Sequence, residues 1–98
     1  LYPLGFIEIG KHVTVSQYSH LCAGSHNMRL KSLPLIKTKI IIKDYVWCCS
    51  NVFIGPSAIL EKFCVVTPGS VFKGSSEEAG IYTGNIAKLQ SFRRLESE

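Results

Sequence analysis

Histidine is the residue type in this chain best suited to move a proton near neutral pH, and the chain has three of them, His12, His20 and His26. An imidazole titrates close to cellular pH, so it can take a proton from a hydroxyl that attacks a substrate. His26 stands directly before a segment whose spacing departs from the rest of the sequence. A single histidine is more often a surface or structural residue, so spacing alone leaves both roles open for His26.

A six-residue repeat must position these side chains. Apolar residues recur at every sixth position in two blocks, and a small or β-branched residue follows four places after each. Neither a helix nor a simple alternating strand produces this spacing. A period this short is typical of a parallel β-helix, in which three hexapeptides close one triangular coil. The positions expected to point inward are Ile9, Val13, Val15, Leu21, Ile42, Val46, Cys48, Val52, Ile54, Leu60, Cys64, Val66 and Phe72.

The repeat frame breaks between the two blocks. The interval from Leu21 to Ile42 is not a multiple of six, so a segment must leave the coil between them. We expect this extruded loop over about residues 27–35. Loops that project from a rigid scaffold often carry function, and His26 stands at the root of this one.

The rest of the chain is predicted to complete a single domain of residues 1–98. Residues 80–89 are expected to form a strand, and Lys88–Glu98 a short, weakly amphipathic C-terminal helix. The predicted segments are repeat coils over residues 3–26 and 36–74 and a C-terminal segment over residues 75–98.

Composition narrows the class of protein. Of the 98 residues, 46% are hydrophobic and 18% charged, as in one globular domain. The formal net charge of +4 favours anionic ligands, although a solvated basic face explains it equally well. Nucleic-acid binding would need cations interleaved with exposed aromatic residues, and the aromatic residues here mostly lie in or beside the repeat frame. No apolar run approaches the length of a spanning helix. We expect a cytoplasmic protein with no membrane span and no nucleic-acid partner.

Five short motifs are together more specific than any hexapeptide alone. They are Ser25-His26 before the loop, Lys43-Asp44-Tyr45-Val46-Trp47, Ile54-Gly55-Pro56, Pro68-Gly69-Ser70-Val71 and Gly84-Asn85-Ile86-Ala87-Lys88. This combination resembles the hexapeptide-repeat O-acetyltransferases, above all the colanic acid biosynthesis type, with maltose and galactoside acetyltransferases as more distant relatives. The resemblance implies a left-handed parallel β-helix that transfers an acetyl group from acetyl-coenzyme A to a sugar hydroxyl. It also implies a homotrimer with sites between subunits, and the exposed first coil suggests end-to-end association of trimers.

The resemblance assigns roles to individual residues. His26 corresponds to the general base, and no metal is required. Trp47 corresponds to a residue beside the coenzyme thiol, although an outward tryptophan in a subunit interface is an alternative. Lysines at exposed positions are as often merely solvated as bound to phosphate. The positions that correspond to coenzyme contacts are Trp47, Ser50, Pro68, Lys73 and Lys88.

The cysteines and histidines do not predict a metal site. Cys48 and Cys49 adjoin in a predicted strand and point to opposite faces, so they cannot chelate one ion. No cysteine spacing matches a zinc ribbon or finger. His20 and His26, one hexapeptide apart, are expected on different faces, which argues against the γ-type carbonic anhydrases and their three converging histidines. The expected thiol orientations are inward for Cys48 and Cys64 and outward for Cys22 and Cys49.

Several positions depart from the pattern that the resemblance implies. Relatives carry alanine, with a free amide for the coenzyme, where this chain has Pro68, and proline has no N–H. Glu61 replaces a glycine, Ile86 replaces a proline, and the coils that precede Leu1 in relatives are absent. A second hypothesis is therefore a non-catalytic, degenerate or truncated β-helix that keeps the scaffold and the trimer only.

Overall fold

The computed structural model describes residues 5–97, which form a stack of short parallel strands wound into a coil. Thr14 of the first coil pairs with Trp47, and Trp47 in turn pairs with Val65. The interval from Trp47 to Val65 is three hexapeptides, so the predicted parallel β-helix is confirmed.

Three sheets make the three sides of this coil, and one hairpin stands apart from them. The hairpin consists of two antiparallel strands, β4 (Gly24–His26) and β5 (Leu35–Lys37). The first side contains β1 (Phe6–Ile9), β6 (Lys39–Ile42) and β9 (Ile59–Leu60). The second side contains β2 (Thr14–Val15), β7 (Trp47–Cys48), β10 (Val65–Val66), β12 (Gly80–Gly84) and β13 (Ala87–Phe92). The third side contains β3 (His20–Leu21), β8 (Phe53–Ile54) and β11 (Val71–Phe72).

The hairpin of residues 24–37 leaves the coil between its first and second turns. It explains why the paired residues Thr14 and Trp47 are much further apart in sequence than the paired residues Trp47 and Val65. Thr38 closes its neck: both its N–H, at 2.8 Å, and its hydroxyl donate to the carbonyl oxygen of Ala23. The excursion is wider than residues 27–35, because antiparallel pairing of β4 with β5 satisfies backbone groups that have left the coil.

The inward positions of the repeat form the core. Val13 is only half-buried, and Ile9 and Val15 are 46% and 39% exposed, so the prediction is wrong for these three positions of the first coil. The reason is that, within residues 5–97, no further coil stacks beneath it. The other ten predicted positions are at most 1% exposed: Leu21, Ile42, Val46, Cys48, Val52, Ile54, Leu60, Cys64, Val66 and Phe72.

At the corners of the coil, residues six positions apart adopt the left-handed backbone conformation, with positive φ. Such values of φ are uncommon outside glycine. Aromatic corner residues stack from coil to coil, with ring centroids 4.9 Å apart for His12 and Tyr45 and 5.2 Å for Tyr45 and Phe63. This stacking stabilises one edge of the triangle. The non-glycine corner residues, with φ between 56° and 65°, are His12, Tyr18, Tyr45, Asn51, Ser57 and Phe63.

The predicted C-terminal helix over Lys88–Glu98 is wrong. The strand β13 covers residues 88–92 of that segment and pairs antiparallel with β12, so that Lys88 lies opposite Thr83. Without β13, the outer edge of β12 would present unpaired N–H and C=O groups, which a helix could not satisfy. Residues 93–97 have no regular secondary structure, and Glu98 lies outside the described residues.

Cys49 is buried rather than outward, with 5% exposure. It lies at the bend between the second and third sides, where its N–H donates to the Val66 carbonyl at 3.0 Å. Its own carbonyl accepts a hydrogen bond from the Ser19 hydroxyl at 2.8 Å. Strand alternation does not continue through this bend, and the expected outward orientation is therefore wrong.

Candidate functional site

A cleft of about 310 Å³ opens where the 24–37 hairpin leaves the third side of the coil. We call it the histidine cleft. Apolar walls come from Phe53 of β8 and Leu35 of β5, and titratable groups from β3 and β4. Its lining residues are His20, Cys22, Gly24, Ser25, His26, Leu35 and Phe53.

The ring of His26 is oriented by its own hairpin. Its Nδ1 atom lies 2.8 Å from the carbonyl oxygen of Leu33. A carbonyl oxygen can only accept, so Nδ1 carries the hydrogen and donates it. In the neutral imidazole, Nε2 then holds the lone pair. This is the tautomer that a general base needs, on an exposed side chain at the edge of the cleft.

His20 lines the same cleft as His26, so the expectation that these residues lie on different faces is wrong. The His20 ring packs against Phe53 with centroids 5.5 Å apart and planes inclined by 33°. The spacing argument failed because His26 does not continue onto the next side of the coil. It lies on β4, which leaves the coil beside the third side. Both imidazoles therefore belong to the lining of one cleft.

A second cleft, of about 440 Å³, opens on the second side of the coil. We call it the tryptophan cleft. Trp47 is 45% exposed there, and its indole N–H donates to the Ser16 hydroxyl at 3.2 Å. The residues that line it are His12, Thr14, Ser16, Tyr45, Val46, Trp47 and Arg93.

Arg93 is a cleft residue that sequence reasoning missed. Its Nη1 donates to the carbonyl oxygens of Tyr45 at 2.9 Å and Phe63 at 3.3 Å. Its backbone N–H donates to the carbonyl of Ala79. The sequence shows only a cation near the C-terminus, and the pairing of β13 with β12 is what carries it to the corner of Tyr45 and Phe63.

The two clefts lie on different sides of one chain. Trp47 belongs to β7 on the second side, whereas His26 belongs to the hairpin beside the third side. Trp47 and His26 therefore line different clefts.

Three of the predicted coenzyme residues lie along neighbouring positions of the coil. Pro68 follows Ser50 by one full turn of the coil, and the carbonyl of Ser50 accepts the N–H of Gly69 at 3.0 Å. The residue that precedes Pro68, Thr67, bonds to Thr83, which lies opposite Lys88 in the β12–β13 ladder. Ser50 and Pro68 thus lie one coil apart, and Lys88 lies beyond them on the antiparallel edge strand β13.

Lys73 and Lys88 are both exposed cations. Lys73 follows β11 on the third side, and Lys88 lies on the edge strand β13. Neither makes an ion pair with an acidic residue in the described part of the chain. Their charges are thus available to an anionic ligand.

The buried thiols are unsuited to nucleophilic or metal chemistry. Burial raises the pKa of Cys48 to about 12 and that of Cys64 to about 11, and the adjacent thiols add to the shift of Cys48. Both remain protonated at neutral pH, whereas a nucleophile or a metal ligand requires the thiolate. Among residues 5–97, no group of three or more histidine, cysteine or acidic side chains could hold a metal ion. No helix in that range is long and apolar enough to cross a membrane.

Comparisons with known proteins place the chain among acetyltransferases. No protein-family profile matches it. It is 39% identical over 74 residues to a protein of Escherichia coli named as a putative colanic acid biosynthesis acetyltransferase, WcaF, and this match covers 74% of the chain and 41% of that relative. The chain belongs to the hexapeptide-repeat acetyltransferase family. It spans less than half the length of WcaF.

Solved structures of this family share the fold of the chain. A hexapeptide-repeat acetyltransferase of Vibrio cholerae, solved with acetyl-coenzyme A, has a TM-score of 0.83 and 26% identity over 90% of this chain and 50% of its own. A maltose O-acetyltransferase of Clostridium difficile has a TM-score of 0.84 and 22% identity, over 91% of this chain and 49% of its own. The fold is thus the left-handed parallel β-helix of hexapeptide-repeat acetyltransferases.

Proposed function

We propose that the chain transfers an acetyl group from acetyl-coenzyme A to a hydroxyl of a sugar or polysaccharide precursor. The observation that carries the proposal is the hydrogen bond of His26 to Leu33, which leaves Nε2 as a base at the edge of a cleft. The names of relatives support the substrates: one is named for colanic acid biosynthesis, and one was solved with acetyl-coenzyme A. We place the reaction in the cytoplasm, a reducing compartment that suits the free cysteines.

The proposed reaction is a direct transfer within a ternary complex. The acceptor hydroxyl gives its proton to Nε2 of His26 while its oxygen attacks the thioester carbonyl carbon. A backbone N–H stabilises the negative charge that develops on the carbonyl oxygen. The carbon–sulfur bond then breaks, and the imidazolium of His26 returns the proton to the departing thiolate. Atoms and charges balance without a metal or a covalent enzyme intermediate.

Acetyl-coenzyme A is proposed to lie along the coil positions that run from Trp47 to Lys88. The Trp47 ring offers an apolar contact to the thiol end, and Ser50 a polar one to the pantetheine arm. Lys73 and Lys88 are the exposed cations that suit the phosphates. Pro68 fits less well, because the corner that it occupies has no N–H to donate at that residue.

A homotrimer is the proposed assembly. One copy carries the histidine cleft and the tryptophan cleft on different sides, and threefold packing of triangular coils would bring the second side of one copy toward the third side of the next. Light scattering should give three times the mass of one chain. A stable monomer at micromolar concentration would contradict the shared site.

Substitutions of His26 test the catalytic proposal. His26→Ala should lower the rate of acetyl transfer from acetyl-coenzyme A by roughly a hundredfold or more, the usual contribution of a positioned base. His26→Asn is a sharper variant, because its amide can still donate to the Leu33 carbonyl but cannot take a proton. The measurement is thiol release with a panel of sugar acceptors, with Lys62→Gln at an exposed position as the control. Activity of His26→Asn equal to that of the unmodified chain would exclude the base.

A second candidate function is a non-catalytic β-helix, and Pro68 is the observation that favours it. Calorimetric titration with coenzyme A separates the two. If the coenzyme passes this corner, Pro68→Ala should restore one hydrogen bond and tighten binding by about 0.5 to 1.5 kcal/mol, or about two- to tenfold. Binding only in the variant would favour the degenerate scaffold. Tight and equal binding by both would mean that the coenzyme takes another path.

A further inference from the structure

Lys37 is a charged residue beside the histidine cleft to which the proposed reaction gives no role. In β5 it comes two residues after Leu35, which lines that cleft, and strand residues two apart point to the same face. Lys37 lies opposite Gly24 in the hairpin, just as Leu35 lies opposite His26. Gly24 has no side chain to cover its partner, and Lys37 is exposed. The hairpin therefore presents an imidazole and an ammonium group on one face.

The spacing of these two groups suits one small ligand. Lys37 is two residue pairs along the hairpin from His26, a separation of about 7 Å along a strand. A ligand with a hydroxyl at Nε2 of His26 therefore reaches Lys37 with a substituent on the same molecule. Phe53 and Leu35 supply apolar walls between which the C–H face of a sugar ring can pack.

The charge of Lys37 is not balanced by an acidic side chain of its own chain. Among residues 5–97 it makes no ion pair. Lys39, two residues later, does pair with Glu8 at 3.9 Å, because β6 has returned to the coil beside β1. No aspartate or glutamate occurs in residues 9–43, and none lines the histidine cleft. A ligand in the cleft meets only neutral and cationic groups of this chain.

The strands of a neighbouring copy do not supply the missing carboxylate either. The proposed trimer brings the second side of one copy toward the third side of the next, and none of the five strands of the second side contains an aspartate or glutamate. Two acidic residues at the corner before that side are engaged within their own chain. Asp44 accepts the N–H of Lys11 at 2.8 Å, and Glu61 pairs with Lys43 at 2.8 Å.

We propose that the acceptor is an anionic sugar and that Lys37 binds its negative group. This inference rests on the proposed function, since it names the class of acceptor for that reaction. The oxygens of a phosphate or a carboxylate accept charge-assisted hydrogen bonds from the ammonium group. The reacting hydroxyl then meets His26 while the anionic substituent meets Lys37. Lys37 is thus a specificity residue, which selects and orients the acceptor and takes no part in proton transfer.

Calorimetric titration of the full chain without coenzyme tests the proposal. The probes are the 1-phosphate, the uronic acid and the methyl glycoside of glucose and of galactose. We expect an anionic probe to bind roughly tenfold more tightly than its neutral counterpart and to shift the ring signals of His26 in nuclear magnetic resonance spectra. Lys37→Gln should abolish this preference, whereas Lys37→Arg and the exposed control Lys62→Gln should keep it. The phosphate and uronic acid probes show which anion is preferred.

Equal binding of charged and neutral probes, or a preference that survives in Lys37→Gln, would overturn the proposal. A lower oligomeric mass of Lys37→Gln with unchanged probe binding would instead pair Lys37 with Glu77 or Glu78 of a neighbouring copy. In acetyl transfer, Lys37→Gln should raise KM for the anionic acceptor roughly tenfold, whereas Lys73→Gln should raise KM for acetyl-coenzyme A. Anion binding without any transfer would reject the proposed function and leave the anion site, and transfer without anion preference would do the reverse.

Discussion

Two isoleucines at equivalent positions of the repeat should differ sharply in what they contribute to stability. Ile54 and Ile9 both occupy inward positions of the repeat, yet Ile54 is 0% exposed and Ile9 is 46% exposed. Replacement by alanine removes the same atoms from each. The difference between the two losses of unfolding free energy therefore measures how much a stacked neighbouring coil increases the contribution of one inward residue to stability.

The expected magnitudes follow from burial. Loss of about three carbon atoms from full burial costs roughly 2.4 kcal/mol of transfer free energy. A cavity between tightly stacked coils raises the total for Ile54→Ala to about 3–4 kcal/mol. Ile9 buries about half as much and leaves no closed cavity, because water can occupy the space, so Ile9→Ala should cost about 1 kcal/mol.

Urea unfolding followed by circular dichroism, at one protein concentration, measures both variants. The concentration must be held constant, because assembly contributes to apparent stability. A loss for Ile9→Ala that equals that of Ile54→Ala would refute the reasoning. It would show that the first coil is covered in solution, as end-to-end association of copies would do.

Two further predictions concern the C-terminal tail and the core thiols. Arg93→Ala should lower the free energy of unfolding, measured with urea, by about 1–2 kcal/mol, because the guanidinium donates to the carbonyls of Tyr45 and Phe63. The control Arg94→Ala, at an exposed position, should change the free energy of unfolding by less than about 0.5 kcal/mol. Equal losses in the two variants would contradict a stabilising role for the Arg93 contacts. Burial raises the pKa of Cys48 to about 12 and of Cys64 to about 11, from an ordinary 9.0, so the unfolded chain loses these protons first. The free energy of unfolding, measured from urea midpoints, should therefore fall as pH rises from about 9 toward 11. It should fall less steeply in the double variant Cys48→Ala/Cys64→Ala, which lacks both thiols. Identical slopes in the two proteins would contradict this role of the buried thiols.

The sequence predicted the β-helix and its central core well because the period is a local property. From Ile42 to Phe72, an inward apolar residue recurs at every sixth position, and each of these residues is at most 1% exposed. The site was predicted less completely. His26, the candidate base, lines a cleft; Arg93, Phe53 and Leu35 line the clefts too but were not singled out, since nothing in their spacing marks them.

What the sequence determined by itself is the repeat: which side chains point inward, where the frame breaks, and that a histidine stands at the break. These follow from residue type and spacing along one strand and one corner. Only the tertiary structure decided that Ile9 is exposed, that His20 shares a cleft with His26, and that Lys88 lies in a strand. Each of these depends on what lies one coil above, one coil below or across a hairpin, because burial and edge pairing are set by neighbours in space that the local pattern does not record.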